Sequence, residues 1–362
     1  MSLNKSRITT WLERSPTWVL TLYAVCASFA VYLCMYAFRK PFSAATYGGL
    51  KFFGTDLDLK TAFVISQIIG YTLSKYIGIK VCSEMTRGRR LWTLAGLILA
   101  AEATLVLFVI LPDDWKLVAL FFNGLPLGMV WRLVVLYLEG RRTSDLLLAG
   151  LCCSFILSSG MVKTVGKWLI DAHGTGDFWM PFLTGLILLA PFAIAIFLLN
   201  QIPGPTAADI QARVEREPMD RAERRAFMRR FLPGMIMLLV AYSLLTAYRD
   251  FRDNYMVEIF DDLGFGGKPE ILTTTELPVA FGVLIALGAL FMLKNNRLGL
   301  VAAFGIMISG LALMGGSTLL LDAGKIKRNA CMVCVRLGVY LAYVPFMLKM
   351  VWDCLCESLQ PA

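Results

Sequence analysis

The residues of this chain most able to do chemistry are charged side chains set inside long apolar stretches. A charge at the centre of a bilayer costs at least about 2.5–3.5 kcal/mol, so such groups normally face a bundle interior or water. Arg39 and Arg249 stand out. A guanidinium stays charged and presents a planar fork of donors that fits a phosphate or carboxylate through parallel hydrogen bonds. Converging from opposite halves of the chain, the two would clamp a small anion. As interfacial residues they would only snorkel to headgroups at helix ends. Arg252, one turn beyond Arg249, competes for the second place, with Asp250 and Asp253 near enough to neutralise it. Lys75 has Tyr71 one turn before it on the same helical face. Together they offer a cation and a hydroxyl to an anion path, or else Lys75 reaches the membrane boundary along its own stem. Lys163 carries the same two readings.

Two carboxylates complete the set. Glu276 follows Thr273, Thr274 and Thr275 in the outer half of a span. It is expected to act as a structural partner of Arg249 or Arg252, or as a protonatable group coupling transport to a proton gradient. Glu102 is expected to be a packing or ion-pair residue. Arg132 and Arg336 also lie inside spans without an acidic neighbour on the same face, and pairing across the bundle with Glu102 is one way to accommodate them. Soluble-enzyme chemistry finds little support. His173 is the single histidine, so neither a histidine-based triad nor a His-rich metal site can be assembled. Gly264-Phe-Gly266-Gly267-Lys268 runs into Pro269 where a phosphate-binding P-loop needs Ser or Thr. Cys331-x-x-Cys334 and Cys354-x-Cys356 have a zinc-like spacing, but the first pair lies in an apolar helix and the second in a short tail. No metal and no other cofactor is expected.

The elements that must position these groups are membrane helices. The chain is 57% hydrophobic and only 17% charged, outside the range of ordinary soluble domains. A bilayer core about 30 Å thick takes roughly 20 apolar residues per helix. Runs of that size occur at Thr17–Phe38, Thr61–Val81, Leu91–Leu111, Leu117–Leu138, Leu146–Leu169, Trp179–Leu199, Phe231–Arg249, Ile271–Leu293, Leu298–Leu321 and Ala330–Val351. They are too long and too continuously apolar for a transmembrane β-barrel, and the first is too long for a signal peptide. The expected fold class is therefore all-α and polytopic, with about ten spans. The formal charge of +9 concentrates in loops on one side, among them Arg87, Arg89, Arg90, Arg141, Arg142 and the stretch Arg213–Arg230. The positive-inside rule then puts the N-terminus in the cytoplasm, and a nucleic-acid partner is not implied. Lys325, Lys327 and Arg328 dissent.

The longest polar stretch, Asn200–Arg230, opens with two prolines and becomes a charged, helix-like segment. It divides the chain into an N-terminal six-helix bundle (residues 1–199), a charged cytoplasmic linker (200–230) and a second helical set (231–362), the layout of a two-bundle transporter. Ala37-Phe38-Arg39 and Ala247-Tyr248-Arg249 place the same types at the outer end of the first helix of each half.

These segments resemble the major facilitator superfamily, and within it the organophosphate:phosphate antiporter branch. Tyr36-Ala-Phe-Arg39-Lys40-Pro-Phe-Ser43 is similar to that branch's aromatic-x-x-Arg-Lys-x-Phe signature, and Tyr71-Thr-Leu-Ser74-Lys75-Tyr76-Ile-Gly78 to its Tyr-x-x-Ser-Lys-aromatic element. Gly128-Met-Val-Trp131 is similar to a further stretch. The Arg-Lys-Pro-Phe opening also resembles a bacterial membrane family without an assigned substrate. Two departures stand out. Glu84-Met-Thr-Arg87-Gly88-Arg89-Arg90 is one residue longer than the superfamily's Asp-Arg-x-Gly-Arg-Arg loop, and ten spans replace twelve. The chain would then be a fragment or a reduced relative. The resemblance implies a two-bundle fold and a secondary transporter in a bacterial inner membrane. Its solute would be a small anion, an organophosphate or other organic anion, exchanged for phosphate or coupled to protons. Arg39, Arg249, Tyr36, Tyr71, Lys75 and Arg252 would bind it, with Glu276, Lys163 and Glu102 as coupling or ion-pair groups. The alternative is a non-transporting scaffold or receptor-like membrane protein.

Overall fold

The structure, a computed structural model, describes residues 6–211, 220–265, 268–293 and 295–346. Among them every regular element is helical, and Lys51 and Asp58 form an isolated antiparallel bridge. Nine of the described helices are long and apolar enough to cross a membrane. The chain is an all-α, polytopic membrane protein.

Packing divides it into two compact units. One runs from the N-terminus to Pro205 and takes in Asn254–Leu277; the other holds Thr206–Asp253 and the chain from Pro278 onward. The first unit opens with α1 (Arg7–Arg14), a short helix ahead of the first expected span. Ser6 caps it by accepting from the Thr9 amide, and the Thr9 hydroxyl donates to the Gln201 carbonyl. Six long helices follow: α2 (Thr17–Tyr36), α3 (Leu59–Ser83), α4 (Arg87–Ile110), α5 (Lys116–Leu138), α6 (Ser144–His173) and α7 (Met180–Asn200). Each matches an expected span, with ends moved by a few residues. The first stops at Tyr36, before Pro41, whose ring cannot continue a helix.

The pair α3 and α5 shows why these apolar helices pack as they do. In lipid, burying apolar side chains gains little, so close approach of small residues takes over. A Cβ added at Gly70 would lie 2.1 Å from the Phe121 carbonyl oxygen, and one at Gly124 would lie 2.5 Å from that of Gln67. The two backbones touch, and a side chain at either glycine would force them apart. At the far end of the bundle Tyr47 is buried with a left-handed φ of 57°. Its ring meets Phe63 and Phe178, its hydroxyl donates to the Phe42 carbonyl and its amide to Asp177. Burial, and after it the Asp177 and Glu258 carboxylates, push the Tyr47 phenol well above its ordinary range.

Residues 254–277 form a strap on this unit, made of α10 (Met256–Phe260), α11 (Ile271–Thr274) and the turns around them. The buried Lys60 ammonium pairs with the Glu258 carboxylate and donates to the Ser43 carbonyl at 2.9 Å. Thr61 meets the Tyr255 hydroxyl at 2.6 Å, Lys40 donates to Asn254 at 2.9 Å, and Thr164 meets Thr273 at 2.8 Å.

In the second unit, α8 (Ala207–Gln211) precedes α9 (Arg221–Asn254), whose final residue belongs to the strap. The expected seventh span began at Phe231; the helix starts ten residues earlier because Arg, Ala and Glu in that charged stretch are good helix formers. The expected eighth span is broken in two, α11 and α12 (Glu276–Phe291). Pro278 supplies no N–H to the turn before it, and the Thr275 hydroxyl bonds back to the Ile271 carbonyl at 2.7 Å. Then α13 (Asn296–Asp322) and α14 (Arg328–Pro345) lie against each other, with Gly310 and Gly338 at the closest approach. The end of the tenth expected span, Cys354, Cys356 and part of the charged linker lie outside the described residues, as do Gly266 and Gly267 of the glycine-rich turn.

Candidate functional site

Arg39 follows the end of α2, where its amide still bonds back to the Tyr36 carbonyl at 3.1 Å. The side chain is 7% exposed. Its guanidinium carbon lies 4.0 Å from the centre of the Tyr71 ring and 5.9 Å from that of Tyr36. At those separations the ring faces attract the cation. Snorkelling at a helix end does not describe this residue, because it is buried. Three expected partners, Arg39, Tyr36 and Tyr71, are thus brought together. Lys75 joins them at the edge: its ammonium lies 5.2 Å from the Tyr71 ring centre, and the side chain is exposed.

Two neutral residues fix the backbone under Arg39. The Gln67 amide donates to the Arg39 carbonyl at 2.9 Å and to the Asn123 side-chain oxygen at 3.0 Å. The Asn123 amide in turn donates to the carbonyls of Phe38 and Ala101, each at 3.1 Å. Both side chains are buried, on α3 and α5. The sequence reading missed them because it weighed charges inside spans and passed over amides, although a buried amide in lipid also needs partners. Behind them Tyr32 sets its ring edgewise on Tyr36 and on Trp131 of the Gly128–Trp131 motif.

Lys163 is fully buried on α6, with its ammonium 4.0 Å from the Met256 sulfur of the strap, so it does not reach the membrane boundary. Glu276 is 1% exposed and packs against Gly160 of α6. Glu102 is 7% exposed, yet among the described residues its carboxyl oxygens have no hydrogen-bond partner and no ion pair. Of the two roles expected for Glu102, packing or an ion pair, the described residues show the packed position and no ion-pair partner. Arg132 does not supply it, because its guanidinium meets Glu139 at 3.0 Å, two turns along the same helix face. The sequence reading overlooked that partner because Glu139 stands just past the end of α5.

In the second unit the last turns of α9 carry Arg249 and Arg252. The Arg249 guanidinium bonds Asp250 at 2.8 Å and stacks 4.3 Å from the Tyr343 ring centre. Arg252 is buried and donates to the Met332 carbonyl at 2.9 Å. Arg249, Arg252, Asp253, Arg336, Val339 and Tyr340 line one recess between α9 and α14. Arg336, for which the sequence suggested only a pairing across the bundle, is 4% exposed and is a third guanidinium at this place. Three guanidiniums in a buried recess repel one another unless anionic groups sit among them, and the Asp253 carboxylate is one such group. Among the described residues no cluster of His, Cys, Asp or Glu is placed to hold a metal ion.

The crystal structure of a D-xylose-proton symporter is similar to this chain, with a TM-score of 0.56 and 15% identity over 95% of this chain and 83% of the symporter. At that identity the likeness concerns the fold alone, a polytopic all-helical one. No curated protein matches. The profile of one family covers residues 41–359, from Pro41 beside the Arg39 site through the helices that carry the arginine recess, and the chain belongs to that family, the family of unknown function DUF5690.

Proposed function

We propose that this protein is a secondary transporter that carries a small anionic solute across a bacterial inner membrane, with its N-terminus in the cytoplasm. The observation that carries the reading is the buried Arg39, seated on Tyr71 and Tyr36 and held from behind by Gln67 and Asn123. A permanently charged group in a membrane bundle is costly unless it serves a pathway or a ligand. A guanidinium held in place on aromatic faces is prepared for a planar, doubly hydrogen-bonding anion. The arginine recess of the second unit gives that half a cationic surface of its own. A fold shared with a proton symporter supports alternating access, with a proton or a counter-anion driving the cycle. The similarity of the Arg39 and Tyr71 segments to organophosphate:phosphate antiporters favours a phosphate ester or another organic anion as solute.

The test is thermal stabilisation of the purified protein by inorganic phosphate, glycerol phosphate, sugar phosphates, carboxylates and neutral sugars, in wild type and in Arg39→Ala. A ligand at a hundred times its dissociation constant stabilises a two-state protein by about 2.7 kcal/mol. Anions are expected to stabilise wild type and not a folded Arg39→Ala. Stabilisation by neutral sugars alone would overturn the anionic solute. No response to any solute from folded wild type would favour the scaffold or receptor reading.

A further inference from the structure

We propose that Glu102 is a proton-binding site built into the seam between α4 and α7, where its carboxyl group sits as the neutral acid and ionises only when the two helices part. The proposal rests on where the carboxyl lies and on what surrounds it. Glu102 is more than nine-tenths buried. A Cβ added at Gly185 on α7 would lie 2.2 Å from Oε2 and 3.2 Å from Oε1, so the carboxyl lies directly over that glycine and fills the space a side chain would take. Both oxygens are shut away from solvent and, among the described residues, neither accepts a hydrogen bond.

The nearby polar groups are already engaged. The Thr104 hydroxyl donates to the Ala101 carbonyl, the Thr184 hydroxyl to that of Met180, and the Asn123 amide to Phe38, Ala101 and Thr104. Among the described residues, no side chain forms an ion pair with Glu102 across the seam. Helix α7 carries no ionisable side chain, and α2, which packs on it, carries no charged one. Arg39 beyond α2 turns its guanidinium to Tyr71 on α3. On α4 itself, Arg87, Arg89 and Arg90 lie three or more turns away, roughly 18 Å or further along the helix. On α5, the Lys116 ammonium donates to the Val109 and Leu111 carbonyls, Arg132 pairs with Glu139, and Tyr137 interacts with Arg90 and Asn200 near the other end. An ionised carboxylate enclosed in this way would lack water and, among the described residues, both hydrogen bonds and an ion-pair partner, the most expensive state a side chain can occupy in a bundle. The neutral acid is spared the cost of the buried charge, the larger part of that burden, and its O–H is a proton held in the seam. Movement of α7 off Gly185 would admit water and let that proton go, so each opening of the seam exchanges one proton.

Infrared difference spectroscopy of the full-length protein reads this directly, whether or not any solute is transported. Near neutral pH, wild type is expected to show the C=O stretch of a protonated carboxyl in an apolar setting, absent from Glu102→Gln. Labelling with carbon-13 glutamate should move that band, which assigns it to a glutamate without any mutation if the variant folds poorly. Raising the pH from about 6 to about 9 is expected to lower the thermal stability of wild type more than that of Glu102→Gln, because the unfolded state releases the proton that the seam retains. Carboxylate bands alone near neutral pH, or equal pH responses of the two proteins, would overturn the proposal. Since neither readout involves a solute, the inference can fail while the anion transporter stands, and the reverse.

Discussion

Arg39, just past the end of α2, and Arg249, in the last turns of α9, complete the same small-aromatic-arginine pattern, yet their surroundings differ. Arg39 rests against the faces of Tyr71 and Tyr36, and its backbone is tied down by Gln67 and Asn123. Arg249 lies against the Tyr343 ring and bonds the Asp250 carboxylate at 2.8 Å. Aromatic seating steadies a guanidinium without neutralising it. A carboxylate steadies it by neutralising it, and an arriving anion must exchange with that carboxylate. Under the proposed function, an anion would meet Arg39 beside two aromatic faces and Arg249 beside the Asp250 carboxylate.

The comparison breaks most sharply under truncation. Arg39→Ala is expected to weaken anion binding by about 2–5 kcal/mol, the usual scale for removing one member of a buried, hydrogen-bonded charge pair. Isothermal titration with the best-stabilising anion measures it, and an unchanged affinity would exclude Arg39 from the site. Next comes Arg336→Gln, which takes one of three guanidiniums from the second recess. A tenfold loss, about 1.4 kcal/mol, is expected in the same titration, whereas tighter binding would mean that Arg336 serves only to balance local carboxylates. Tyr71→Leu should cost about 1–2 kcal/mol in affinity while Tyr71→Phe keeps most of it, since the ring face and not the hydroxyl meets Arg39. Equal losses in the two variants would point to the hydroxyl instead. The smallest effect is expected from Asp250→Asn. Anion affinity should rise two- to fivefold, about 0.4–1 kcal/mol, because Arg249 no longer has to exchange partners. A fall would show that Asp250 orients the guanidinium for its ligand.

The helical architecture was legible in the sequence because each span is a long apolar run, and in lipid every backbone polar group must be satisfied within its own helix. The ends were less legible. Residues 221–230 continue α9 because charged helix formers do not interrupt a helix, and Pro278 breaks the eighth span within a hydrophobic run. In the candidate site, the Arg39–Tyr71 pair could be read from motifs, and Lys75 beside Tyr71 from helical spacing. Gln67 and Asn123 could not, since their role depends on α3 and α5 touching at Gly70 and Gly124. Arg336 had no visible role until α14 was seen beside α9. That Glu102 meets no hydrogen-bond partner among the described residues is a fact about its neighbours, which no reading of its own helix supplies.

The strap has a practical consequence for anyone cutting this gene in two. A break in the charged stretch after Pro205 looks natural, since it separates six spans from the rest. Fragment 1–205 expressed alone would lack Asn254–Leu277, and with it the Glu258 carboxylate, the Asn254 side chain and the Tyr255 hydroxyl that meet Lys60, Lys40 and Thr61. Two buried ammonium groups would lose these partners from the strap, although Lys60 would keep the Ser43 carbonyl. Complementation by a co-expressed 206–362 fragment is then expected to succeed only as far as those few residues return to their sockets. A chain that joins Asn254–Leu277 directly to residues 1–205 would carry its own strap and is the better starting point for isolating the first unit.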